Sequence, residues 1–159
     1  RYFLTDSGAM KTGWLKDGND WYYIDKSGSL RTGWINDGNT WYYLDGSGKM
    51  QTGWLDQNNQ RYFLSPSGAM KTGWINVDKN WYYMNNSGSM TRGMINVNNV
   101  SYYLDENGKM LSNTTVNVNG TDYRIDASGA MSQIVPETTS SPETSAAVST
   151  QSSVGPAGN

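Results

Sequence analysis

Cysteine and histidine are both absent from the 159 residues. The first absence excludes disulfides and thiolate metal sites. The second removes the commonest metal ligand and the usual general base of catalysis. Long apolar runs are missing too, so no segment reads as a membrane-spanning helix. Charge of one sign is scarce: twelve Lys and Arg stand against fourteen Asp and Glu, for a net charge of −2. The surplus acids, Glu137 and Glu143, lie near the C-terminus, and the chain before them is formally neutral. No basic stripe exists, which argues against nucleic acid as a partner. What the chain has instead is aromatic: 7 Trp and 11 Tyr against 2 Phe, 13% of the sequence. Hydrophobic residues make up 36%, and so many of them are Trp or Tyr that one large aliphatic core is not available. The rings must be covered piecemeal, or used.

Those rings recur. Gly8, Gly28, Gly48, Gly68, Gly88 and Gly108 are twenty residues apart, and Gly129 follows after twenty-one. Met10, Leu30, Met50, Met70, Met90, Met110 and Met131 keep the same beat. Gly-Trp occurs at 13–14, 33–34, 53–54 and 73–74, with worn copies at Gly93-Met94 and Asn113-Thr114. A unit of twenty residues cannot bury its own apolar face, so neighbours must stack and the fold class is an all-β solenoid of repeated units over 1–131. Within one unit, "GWIN" is followed by the turn signal "DGN", then by "WYYLD", then by the breaker "GSG". Asp, Asn and Gly supply the positive φ of a tight turn, and the Trp-Tyr-Tyr run favours strand, so each unit reads as a β-hairpin plus a loop.

Strand alternation sorts the side chains onto two faces. Trp34, Trp41 and Tyr43 share one face, and Tyr42 and Leu44 share the other. The expectation is that Tyr42, Leu44 and their copies pack along the axis, while the Trp face opens into an aromatic cleft between successive hairpins. A cleft with ring walls and little charge suits a quaternary ammonium group. Ring quadrupoles attract such a cation by about 0.5–2 kcal/mol per well-placed face, and burial of its methyl groups adds about 25 cal/mol per Å². The sum corresponds to a site of roughly millimolar strength, about −4 kcal/mol, and several sites on one rod would gain avidity toward a polymeric ligand.

The sentence formed by Gly-Trp, then Trp-Tyr-Tyr seven residues on, then Gly-x-Met at a period of twenty resembles the choline-binding (cell-wall-binding) repeat of Gram-positive surface proteins, over residues 1–131. The resemblance implies hairpins in a left-handed superhelix, about three repeats per turn. It implies choline of teichoic and lipoteichoic acids bound between neighbouring hairpins by two Trp, a ring of the next repeat and often a Met. It implies a secreted, wall-bound chain with no resident cofactor, attaching a murein hydrolase, an adhesin or another surface domain. Carried over by position, three pockets emerge: Trp14, Trp21, Tyr43 and Met50; Trp34, Trp41, Phe63 and Met70; Trp74, Trp81, Tyr103 and Met110. Alternation favours the second ring of each Tyr pair as the closing one. A fourth pocket, at Trp54, has Arg61 where the second Trp belongs, and a fifth, at Met94 and Ser101, has no Trp wall. Residues 112–131 read as a closing repeat.

Other readings of the same residues are weaker. A purely structural aromatic stripe accounts for the rings but not for their even spacing in a neutral chain. Asp25, Asp45, Asp105 and Asp126 recur without the clustered carboxylates of a calcium array and read as turn caps, so no metal site is expected. Carboxylates at repeated turn positions do not make a catalytic pair, so no enzymatic activity is expected of this stretch. Residues 132–159, "SQIVPETTSSPETSAAVSTQSSVGPAGN", carry no aromatic and no Lys or Arg and read as a disordered linker or tail. The chain begins inside a repeat, as a fragment of a longer protein would. The alternative function is a glucan-binding repeat module, and a passive spacer stands behind it.

Overall fold

The computed structural model describes residues 3–135, and the tail expected over 132–159 lies outside those residues from 136 onward. The described residues contain no helix. They form five two-stranded antiparallel hairpins and one three-stranded sheet. The hairpins pair β1 (Gly13–Asp17) with β2 (Asp20–Ile24), β3 (Gly33–Asp37) with β4 (Thr40–Leu44), and β5 (Gly53–Gln57) with β6 (Gln60–Leu64). They continue with β7 (Gly73–Val77) and β8 (Asn80–Met84), then β9 (Gly93–Val97) and β10 (Val100–Leu104). The last sheet joins β11 (Thr114–Val118), β12 (Thr121–Ile125) and β13 (Met131–Gln133), so pairing runs two residues past position 131.

Each hairpin closes on a two-residue turn. Gly38 and Asn39 both have positive φ, 59° and 67°, the pattern of a type I′ turn that matches strand twist. This turn fixes the register. Trp34 lies opposite Tyr43 and Asn36 opposite Trp41, on one face; Ile35 lies opposite Tyr42 on the other. The loop that follows is pinned by an Asx turn: Asp45 Oδ1 accepts from Ser47 N at 2.8 Å, Ser47 Oγ at 2.6 Å and Lys49 N at 3.0 Å. Asp25 and Asp126 do the same, Asp105 accepts from the amides of Asn107 and Lys109, and Asn85 serves in the fourth copy. The serine hydroxyl, followed by loop amides, holds the carboxyls of Asp25, Asp45 and Asp126 below the ordinary 3.8.

Two devices join one unit to the next. The first is a hydrogen bond over twenty-nine residues: Met50 N donates to Trp21 O at 2.8 Å, Met70 N to Trp41 O at 2.8 Å, Met90 N to Arg61 O at 2.7 Å, and Met110 N to Trp81 O at 2.8 Å. The second is an axial column formed by the last residue of each second strand: Ile24, Leu44, Leu64, Met84, Leu104 and Ile125, each 0–1% exposed. Full burial of such a side chain stabilises by about 1.5–3 kcal/mol. Leu44 is therefore axial, as alternation requires. Tyr42 is not: it is half-buried and points out of its hairpin toward the preceding one. A hairpin in a stack has a neighbour on each side, so both faces are used between units and only the strand end reaches the axis. The loop glycines fit this stacking. Gly68 has φ 88°, and a Cβ there would run into Met50 Sδ, which lies beneath it.

Candidate functional site

Successive hairpins meet face to back. The Trp face of one unit receives a ring from the opposite face of the next. In the first interface the indoles of Trp14 and Trp21 stand at 85° with centroids 6.5 Å apart, and Tyr42 reaches Trp14 at 4.8 Å. Trp14 Nε1 donates to Asp37 Oδ2 at 2.9 Å, which fixes the indole against the next hairpin. Trp14, Trp21 and Met50 line a cleft of about 330 Å³, with Pro66 and Ser67 at its far side. In the second interface Trp34, Trp41, Tyr62 and Met70 line about 370 Å³, with Asn86 and Ser87. In the fourth interface, which forms the third cleft, Trp74, Trp81, Tyr102 and Met110 line about 320 Å³, with Ser128. Trp74 and Trp81 stand at 86°, 6.3 Å apart, and Tyr102 lies 4.9 Å from Trp74. The outer indoles Trp21, Trp41 and Trp81 are 38%, 44% and 44% exposed, unusual for so large a ring.

The structure brings together the two Trp and the Met expected in each cleft and corrects the third ring. Tyr43, Phe63 and Tyr103 do not close the clefts to which alternation assigned them. Tyr43 lies 5.2 Å from Trp34, the indole of its own unit, and accepts a hydrogen bond from Gln57 Nε2 at 2.7 Å. Phe63 lies 5.0 Å from Trp54, and Tyr103 is the cross-strand partner of Met94. Each stands one interface downstream of its expected place. The closing rings are Tyr42, Tyr62 and Tyr102, which leave their strands on the opposite face. The turn register carries the signal for this: a residue opposite Trp34 shares its face, so the visiting ring must come from the other face of the next unit.

Serine loops, for which the repeat spacing carries no signal, also line the clefts. Ser67, Ser87 and Ser128 belong to the unit after the one that supplies the closing ring, so three consecutive units border each cleft. Little charge enters. Lys16 Nζ lies 5.9 Å from the Trp21 ring in the first cleft, while Asn36 and Asn76 occupy the equivalent cross-strand positions in the second and third. The carboxylates that recur at Asp25, Asp45, Asp105 and Asp126 are engaged by loop amides. Among the described residues no three His, Cys, Asp or Glu converge as metal ligands would, and no helix is long and apolar enough to cross a membrane.

An interhairpin cleft walled by rings on a rod of repeats defines a repetitive binding module. Comparison with known proteins agrees. The choline-binding repeat family matches residues 31–72 and 71–114, and the cell wall binding repeat matches residues 12–30. The chain belongs to the choline-binding repeat family. Its all-β architecture of repeated hairpins is that of the similar solved structures. Choline binding protein F from Streptococcus pneumoniae is 42% identical with a TM-score of 0.75, over 83% of this chain and 44% of that one. The same protein in the presence of a tetrasaccharide-pentapeptide peptidoglycan analogue is 38% identical with a TM-score of 0.73, over 82% and 46%. A multimodular pneumococcal cell wall endolysin from phage Cp-1, complexed with choline, is 33% identical with a TM-score of 0.55, over 89% and 42%. The chain thus spans less than half the length of these proteins. No curated protein sequence matches it.

Proposed function

We propose that this chain is a non-catalytic module whose interhairpin clefts hold the choline groups of wall teichoic and lipoteichoic acids. By doing so it fastens a larger secreted protein, such as a murein hydrolase or an adhesin, to the bacterial surface. The observation that carries this reading is the threefold recurrence of one arrangement: two indoles of one unit, perpendicular in the first and third clefts, a tyrosine from the next unit and a methionine, with the outer indole left exposed. Trimethylammonium spreads its charge over methyl groups and donates no strong hydrogen bond. Ring faces and a thioether therefore serve it better than carboxylates would. The choline found in the similar endolysin supports the same assignment.

A single cleft of this kind is weak, on the order of millimolar. Several clefts on one rod, meeting a polymer with many choline groups, turn weak sites into firm attachment. The test is a competition. The chain is bound to a choline-bearing wall preparation and eluted with free choline, while Trp emission is followed in parallel titrations with choline and with a soluble glucan. Choline should release the chain and change its emission, with little dependence on salt, because ring faces and methyl burial are not screened as exposed ion pairs are. Release by glucan instead would move the assignment to carbohydrate.

A further inference from the structure

The interface between the third and fourth hairpins departs from the others at two positions at once. Where Trp21, Trp41 and Trp81 stand elsewhere, this copy has Arg61. Where Lys16, Asn36 and Asn76 lie opposite those indoles, it has Asp56. The backbone is unchanged: Met90 N donates to Arg61 O at 2.7 Å, as Met70 N does to Trp41 O at 2.8 Å. The side chain, 39% exposed, lies over the indole of its own hairpin. The Arg61 guanidinium carbon lies 4.9 Å from the centroid of the Trp54 ring, and its Nε lies 3.1 Å from Asp56 Oδ1. That Nε is buried, and its N–H is not aimed at the carboxylate, so the stack on Trp54 and not a hydrogen bond sets its place. The rest of the interface is closed. Tyr82, the ring that reaches Trp54 at 4.8 Å, is only 7% exposed, and Met90 only 4%. Their counterparts Tyr42, Tyr62 and Tyr102, and Met50, Met70 and Met110, are all half-buried.

Resting on the reading of the other clefts as quaternary-ammonium sites, we infer that Arg61 is an internal cation that occupies this cleft and shuts it to such ligands. A delocalised, weakly hydrated guanidinium stacks on an indole face much as a methylated ammonium does. It is tethered to its own strand, so it competes at an effective concentration that a free ligand of millimolar affinity does not match. Asp56 balances its charge. The cleft is therefore a latent site, sealed by one side chain, and it joins two units where the others hold ligand.

The test compares the wild-type chain with Arg61→Trp, using choline chloride as the probe. Equilibrium dialysis counts bound choline, and proton resonances report Arg61. In the wild type the Arg61 side-chain protons should carry a ring-current shift from Trp54. They should stay fixed while the indole signals of Trp34 and Trp74 move with choline. Arg61→Trp should take up one choline more per chain than the wild type; Arg61→Tyr carries the same test with a smaller ring. An unchanged count in a folded variant overturns the inference. So do wild-type Arg61 protons that lack the shift or move in step with those of Trp34 and Trp74, a result that needs no variant. If the wild type binds no choline and Arg61→Trp binds one, the proposed function fails and the latent site stands. If neither binds, both fail.

Discussion

The order of the faces predicts opposite outcomes for two adjacent residues, Tyr62 and Phe63. Tyr62 sits 5.0 Å from Trp34 at 66° and closes the second cleft from the following unit. Phe63 sits 5.0 Å from Trp54 at 70°, on the far side of its own hairpin. Truncation of either ring costs stability; both are half-buried, so about 2 kcal/mol each is expected, below the 3–5 kcal/mol of a fully buried aromatic. Stability alone does not separate them, but ligand count does. Tyr62→Ala removes one of three ring faces, about 0.5–2 kcal/mol, and weakens that cleft by about 2- to 30-fold. It also unroofs Met70. A calorimetric titration that saturates the remaining clefts should therefore find one site fewer, while Tyr62→Phe keeps the count. Phe63→Ala should melt earlier and bind as many choline molecules as the wild type. A missing site in Phe63→Ala together with a full count in Tyr62→Ala would refute the face-to-back order of the hairpins.

Three further outcomes follow from the geometry. Gly68→Ala places a Cβ against Met50 Sδ at a φ of 88° that L residues rarely adopt; strain and overpacking together should cost about 2–5 kcal/mol in urea unfolding, and an unchanged midpoint would refute the packing of Met50 beneath the loop. Asp25, Asp45 and Asp126 titrate below 3.8 when folded, so their contribution is complete above that value and is lost as pH falls through the lowered one. The triple Asn variant should flatten the acid limb of a melting-temperature profile, because Asn85 Oδ1 already accepts from Ser87 N, Ser87 Oγ and Ser89 N at 2.9, 2.7 and 3.0 Å without a charge; an acid limb as steep as the wild type would place the titration elsewhere. Lys16→Asn removes a cation 5.9 Å from the Trp21 ring and should tighten the first cleft alone, about two- to fivefold, since such an exposed contact is worth ~0.5–1 kcal/mol; equal tightening of all clefts in a titration resolved by indole resonances would contradict it.

Much of this architecture is legible in the chain. The beat of twenty requires stacking, the Asp-Gly-Asn run gives a two-residue turn, and the spacing of Trp34 and Trp41 puts both indoles on one face. Leu44 and its copies are axial, as alternation suggests. The third ring was misplaced because alternation says only whether two residues share a face. It does not say which neighbour that face meets, and the answer lies in how the units stack. The serine loops escaped for a related reason. That Trp34 and Ser87 border one cleft depends on the step from unit to unit, which no single repeat encodes. Arg61 was legible as a missing wall and as a cation able to stack on Trp54. The burial of Tyr82 and Met90 in the same interface appears only in the packing.

The hydrogen bond from each Met amide to a carbonyl twenty-nine residues earlier has an evolutionary consequence. The four joints from Met50 to Met110 are cut to the same gauge, so any of those units can follow any other. Excision or duplication of twenty residues inside the array, by unequal recombination between near-identical copies, rejoins a donor to an equivalent acceptor and leaves a folded rod. What changes is the inventory of clefts, because each is composed of contributions from three consecutive units. Removal of the unit that carries Asp56 and Arg61 would set the face bearing Trp34 and Trp41 against Tyr82 and Met90, so that one open joint and one sealed joint become a single open one. A deletion that is not a whole number of units shifts donor against acceptor and breaks the stack. The unit of inheritance in such a rod is thus the interval between joints, and the strength of its attachment can be edited in whole steps while its fold stays fixed.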